Sequence, residues 1–200
     1  MTFGPLLEVP SKGRATASTP ALFGLVADLL EYPEEDMVSR GPEFMRRARA
    51  LPDDQPARLV VDFCRWFQAA DPNAMREAYV ATFDHSRRNA LYMTYATHGD
   101  TRARGAALLS FKRLYDEQGF AGPSDELPDY LPTVLRFAAT APTAGAALAM
   151  ARAGVELVAS SLAQSGSPWA GLLEAVCLTS AMVDGPPTEA VGIVQEGALV

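Results

Sequence analysis

Two hundred residues, 48% hydrophobic and 20% charged, suit one soluble domain that needs no disulfide or metal staple to hold a core. Wholesale disorder and low complexity are excluded, and a formal net charge of −7 argues against nucleic acid, whose phosphates call for a basic face. The two cysteines, Cys64 and Cys177, lie in apolar helical segments and read as reduced, buried thiols. The first twenty residues lack the basic and apolar regions of a secretory signal, and no apolar run approaches the roughly 18 residues of a membrane span. These features point to a cytoplasmic protein.

Strand signals are nearly absent, whereas apolar residues recur at helical spacing along the chain. After a flexible arm over residues 1–18, Thr19-Pro20 opens a helix bearing Leu22, Leu25, Val26, Leu29 and Leu30, which stops before Pro33. A second helix is expected from Glu34 towards Ala50, with acids in its first turn and arginines in its last. A linker from Pro52 to Pro56 follows, then a helix carrying Leu59, Val60, Phe63, Cys64 and Phe67. Asp71-Pro72 caps another, with Met75, Ala78, Tyr79 and Phe83. From Asp84 to Asp100 the pattern is irregular, and His98-Gly99-Asp100 reads as a turn. Thr101 caps a long helix that Gly119 ends in a left-handed conformation. Three more helices centre on Leu131–Ala138, Leu148–Leu162 and Trp169–Cys177, and residues 184–200 read as a loose acidic tail. The sum is all-α: a single helical-bundle domain of roughly eight helices over residues 19–183.

Positive charge ends at Arg152, while residues 84 to 113 hold Arg87, Arg88, Arg102, Arg104, Lys112 and Arg113 against Asp84 and Asp100. Arginine suits bidentate contacts to carboxylates and carbonyls. The arginines of this segment either brace it internally, against Asp84, Asp100 or Asp129, or orient a charged partner. His85 and His98 belong to no metal-ligand spacing, so neither a metal nor a bound cofactor is expected, and no nucleophile or phosphate-loop motif occurs. Glu126-Leu127-Pro128-Asp129-Tyr130-Leu131-Pro132 is the most distinctive short stretch: it either opens a helix or presents Asp129 and Tyr130 in a fixed direction.

The run YVATFDHSRRNALYMTYATHGDTRARGAALLSFKRLYDEQGF, followed by DELPDYLP, resembles the NarJ-type chaperones that assemble the molybdenum cofactor into respiratory nitrate reductase, within the wider TorD/DmsD-like group of redox enzyme maturation factors. The matching motif positions include His98, Gly99, Arg102, Arg104, Gly105, Pro128 and Pro132. Ala90 departs from the usual serine, Thr101 replaces another serine, and Asp129-Tyr130 stands where the wider group often has Asp-His. The resemblance implies a TorD-like, all-α, cytoplasmic, non-enzymatic protein. Its partners would be the apo catalytic (molybdopterin) subunit, bound through an N-terminal peptide, and the apo catalytic/iron–sulfur complex before membrane attachment. On this reading Tyr79, Phe83, Arg87, Arg88, Glu126, Asp129 and Tyr130 form the peptide site, with aromatic anchors and acids that receive basic groups. The alternatives are a small enzyme acting on an anionic substrate through His98, Asp100 and Arg102, and a subunit retained in the finished reductase.

Overall fold

Leu22, Leu25, Val26, Leu29 and Leu30 form one buried face of α1 (Ser18–Leu29) and its exit, as their spacing requires. The computed structural model describes residues 18–122, 125–141 and 144–182; the expected arm, apart from Ser18, and the expected tail lie outside the described residues. The second expected helix is two. Pro42, in the first turn of α3 (Gly41–Arg49), has no N–H to continue the ladder of α2 (Glu35–Ser39), so the chain bends at Arg40. α3 keeps the expected charge order, with Glu43 in its first turn and Arg46, Arg47 and Arg49 in its last.

The stretch read as a linker through Pro56 already contains the start of α4 (Gln55–Ala69), where an Asp54 carboxylate oxygen accepts the Ala57 N–H at 3.0 Å. Asp71 opens α5 (Pro72–Tyr79) by accepting the N–H groups of Asn73 and Ala74, both at 3.0 Å. The chain then winds into a π turn, Val80–Asp84, in which the His85 N–H reaches the Val80 carbonyl five residues back at 3.0 Å. The irregular segment after it hides a short helix, α6 (Met93–His98). Thr101 takes the N-cap position of α7 (Arg102–Glu117), but its hydroxyl makes no capping bond. Gly119, at φ 65°, ends α7 as expected: the Phe120 N–H reaches the Tyr115 carbonyl at 2.9 Å and the Gly119 N–H reaches Asp116 at 3.2 Å.

α8 (Leu131–Thr140), α9 (Ala144–Gln164) and α10 (Ala170–Met182) complete ten α-helices among the described residues, eight of them longer than a two-turn fragment. No strand accompanies them there, so the all-α expectation holds. The expectation about apolar runs does not: Gly145–Gln164 is long and apolar enough to cross a membrane by length and composition. It is a packing helix here, in contact with α6, α8 and α10, and it carries the exposed Arg152 and Glu156.

α1 lies along α8, and α4 joins α3 to α10. Ion pairs stitch α1 to its neighbours: Asp28 meets Arg47 of α3 at 2.7 Å and Arg136 of α8 at 3.6 Å, and Glu31 meets Arg136 at 2.7 Å. At the α9–α10 turn, Trp169 is 1% exposed and meets the rings of Phe63, Trp66, Tyr79 and Phe83 at centroid distances of 5.1–6.1 Å. One indole thereby ties α10 to α4, α5 and the π turn. The tightest crossing is between α9 and α6. A Cβ placed on Gly154 would stand 2.5 Å from the Met93 carbonyl oxygen, so only glycine lets these backbones meet.

Gly154→Ala is expected to lower the unfolding free energy by about 2 kcal/mol or more, because neither backbone can yield without disturbing its own helix. Gly105, exposed on α7 with nothing within 4 Å of an added Cβ, is the control. Gly105→Ala is expected to raise stability by about 0.5–1 kcal/mol through helix propensity alone. Urea denaturation of both variants checks the pair.

Candidate functional site

The stretch from Glu126 to Pro132 is a junction. Asp129 is fully buried, and its Oδ2 accepts the backbone N–H of Thr94 at 2.9 Å and the Thr94 hydroxyl at 2.6 Å. A carboxylate from 35 residues away thus caps the first turn of α6. Two backbone bonds fix the register around it: Met93 N–H to the Asp129 carbonyl at 3.1 Å, and Leu131 N–H to the Leu91 carbonyl at 2.8 Å. Glu126 accepts the Tyr92 hydroxyl at 2.8 Å and the Leu127 N–H at 2.9 Å. The Pro128 carbonyl accepts the Tyr115 hydroxyl of α7 at 2.8 Å, and Pro132 is buried in the first turn of α8.

Tyr130 extends the junction to α1, donating its hydroxyl to Glu31 at 3.2 Å. Its phenol is pushed far above the usual range, first by burial, then by the nearby Tyr79 hydroxyl and the Glu31 carboxylate. Tyr79, itself raised mainly by burial, donates to the Leu30 carbonyl at 2.9 Å. Tyr79 and Phe83, expected as anchors in an open groove, are each 5% exposed and stack on one another and on Trp169. Their rings back the junction from within the core. Of the expected site residues the fold therefore gathers Tyr79, Phe83, Asp129 and Tyr130, the first three as interior groups and Tyr130 half-buried.

The opening beside them lies on the other side of Pro128. A cleft of about 350 Å³ runs between the C-terminal part of α7, the loop after it and α8, lined by Lys112, Tyr115, Asp116, Phe120, Glu126 and Thr133 among others, with Lys112 paired to Asp116 at 3.4 Å. Among the described residues the buried Thr133 hydroxyl has no hydrogen-bond partner, and at the junction neither has Oδ1 of Asp129. The half-buried Phe120 ring, beside Glu126 and the exposed Lys112–Asp116 pair, makes a surface for an apolar segment that carries a basic group. Sequence reasoning missed Tyr115, Phe120 and Thr133, although the first two sit in the resembling run.

The arginines stand elsewhere. Arg87 and Arg88 are exposed and border a second cleft with Tyr95 and Ala96 of α6, away from Glu126. Among the described residues no arginine of this segment pairs with Asp84, Asp100 or Asp129 as the internal brace required; Arg104 instead brings its Nε–H to the Thr94 hydroxyl at 3.4 Å and its guanidinium to 5.2 Å from the Tyr95 ring centre. His98, Asp100 and Arg102 are exposed around Gly99 (φ 56°), and no side-chain hydrogen bond joins them. No group of three or more His, Cys, Asp or Glu is placed to hold a metal among the described residues. Cys64 is buried and its thiol is pushed up to about 11 by that burial; Cys177 is half-buried, and both are free.

A family model described as nitrate reductase delta subunit matches residues 48–175. The chain is 34% identical over 183 residues to the nitrate reductase-like protein NarX of Mycobacterium tuberculosis, covering 90% of this chain but 27% of that protein. It is 34% identical over 126 residues to a probable nitrate reductase molybdenum cofactor assembly chaperone, NarJ, of Bacillus subtilis, covering 63% of this chain and 68% of that one. The Escherichia coli K12 chaperone of the same name is 31% identical over 121 residues, covering 59% of this chain and 51% of that protein.

Asp129→Ala is expected to lower stability by about 3 kcal/mol, because it strands the Thr94 N–H and hydroxyl in the interior. Thr94→Val is expected to cost about 1–2 kcal/mol, and the double variant less than the sum; urea melts of the full cycle measure the coupling. A second expectation concerns alkaline pH. Tyr92 is pushed up from 10.0 to about 12, by burial first and then by its bond to Glu126. Burial likewise raises Tyr79, Tyr115 and Tyr130. Raised phenols leave stability intact below pH ~10 and erode it as pH rises through the folded values. Absorbance at ~295 nm should therefore show these phenols ionising together with the loss of helical circular dichroism. Ionisation of all tyrosines in a still-helical protein would contradict it.

Proposed function

The chain belongs to the nitrate reductase delta subunit family, and from that membership we propose that it is a non-enzymatic assembly chaperone for a nitrate reductase, supporting molybdenum cofactor insertion into the catalytic subunit. The observation that carries this reading is the 34% identity to the Bacillus subtilis assembly chaperone over 68% of that protein's length. We further propose that the protein acts in the cytoplasm, on the apo catalytic subunit and its complex with the iron–sulfur subunit. It would bind an N-terminal segment of the catalytic subunit before the membrane subunit joins.

The cleft beside Glu126 suits such a segment. An apolar peptide face would lie on Phe120, over the buried Tyr115, while Glu126 receives a basic side chain and Asp116 exchanges its Lys112 partner for another. Asp129 and Tyr130 serve this surface from behind, by holding Pro128 and the start of α8 in place. Tyr79 and Phe83 support it one layer deeper. The protein's contribution to cofactor insertion is then to keep the client open, and release follows when the folded client withdraws the segment.

Calorimetric titration of the full chain with the cognate catalytic subunit's N-terminal peptide tests this. Phe120→Ala is expected to weaken binding by about tenfold or more, as the loss of an aromatic anchor does. Glu126→Gln is expected to weaken it less, with an effect that shrinks as salt rises. If both variants retain their fold and bind like the parent, the segment docks elsewhere. If the parent itself does not bind, the N-terminal segment is not what the protein holds.

A further inference from the structure

α6 and α9 meet backbone to backbone at Met93 and Gly154, and towards their C-terminal ends they leave an open cleft of about 400 Å³. Tyr95 and Ala96 line it from α6, and Leu157, Ser160 and Ser161 from α9. Leu157 is 53% exposed, a large apolar side chain that no described residue covers. Arg87 and Arg88 enter from the loop after the π turn. Among the described residues neither guanidinium has a carboxylate within ion-pair distance, and neither donates a hydrogen bond. The guanidinium of Arg104, over the Tyr95 ring, adds a third positive charge nearby.

Free arginines around an exposed leucine, in a chain of net charge −7, ask for an occupant with both carboxylates and an apolar side chain. A compact anion such as phosphate fits poorly. It is best held by a helix N-terminus or a nest of backbone amides. This cleft instead receives the C-terminal turns of α9, whose carbonyl end repels concentrated negative charge. An extended chain avoids that repulsion by placing its carboxylates on the arginine rim and its apolar residue on Tyr95, Ala96 and Leu157.

We propose that this cleft docks an acidic, apolar-bearing peptide segment of a partner protein, on a surface separate from the acid-lined cleft at Glu126. That the partner is the nitrate reductase catalytic subunit rests on the function proposed above. The test is fluorescence anisotropy of overlapping peptides, about fifteen residues each and spanning the cognate catalytic subunit, against the full chain. The parent is compared with an Arg87→Glu/Arg88→Glu double variant and with Leu157→Ser, each checked for parental circular dichroism. At least one net-negative peptide with a large apolar residue should bind the parent. Its affinity should fall about tenfold or more in the double variant and several-fold in Leu157→Ser, while the basic N-terminal peptide is unaffected. The proposal is overturned if no net-negative peptide binds, or if such peptides bind the charge-reversed protein equally well. Displacement of the peptide by inorganic pyrophosphate, with Leu157→Ser behaving like the parent, also overturns it, since that marks a small-anion site. Failure of the N-terminal peptide alone counts against the other cleft and leaves this one standing.

Discussion

A carboxylate taken wholly out of water governs the middle of this molecule. Burying a charge costs several kcal/mol unless hydrogen bonds replace its hydration. Asp129 offsets part of that cost through Oδ2, which caps α6, whose six residues are too few to hold a helix by themselves. Once α6 is fixed, Met93 presents its backbone to Gly154, and α9 can cross at a distance no other residue allows. The neighbours of Asp129 carry the same constraint outward: Glu126 to Tyr92, Pro128 to Tyr115, and Tyr130 to Glu31. One short irregular stretch thus opens α8 and ties it to α6, to α7 and to the exit of α1.

That division of labour explains what the sequence discloses. Helices that bury a periodic face, such as α1, α4 and α9, are visible in apolar spacing, and the cap at Asp71 and the stop at Gly119 are local chemistry within a few residues. α6 is invisible by the same logic, because its stabilising group lies 35 residues downstream. The break at Pro42 is legible from the proline alone, whereas the acid-to-arginine charge order runs straight across it. Gly154 is one of 15 glycines, and nothing local sets it apart from Gly105, whose surroundings are empty. The Glu126–Pro132 stretch was recognisable as special. Whether Asp129 faced a partner or the interior depended on Thr94, which no spacing rule connects to it.

The two clefts give the family assignment a physical shape. One pairs aromatic rings with Asp116 and Glu126; the other pairs Tyr95 and Leu157 with Arg87 and Arg88. α6 stands between them, tied by Thr94 to the junction on one side and lining the basic cleft with Tyr95 on the other.

The Tyr130–Glu31 contact has a consequence for the protein's own birth. It joins residues 99 apart, and α1 finds its main packing partner in α8. At translation rates of roughly 5–20 residues per second, that separation corresponds to about 5–20 s between the emergence of the first helix and the arrival of the second. Throughout that interval Phe23, Leu25, Val26 and Leu29, each at 0% exposure in the finished fold, have no α8 to cover them. The chain therefore passes through a stage in which an apolar helix waits at the ribosome for its cover.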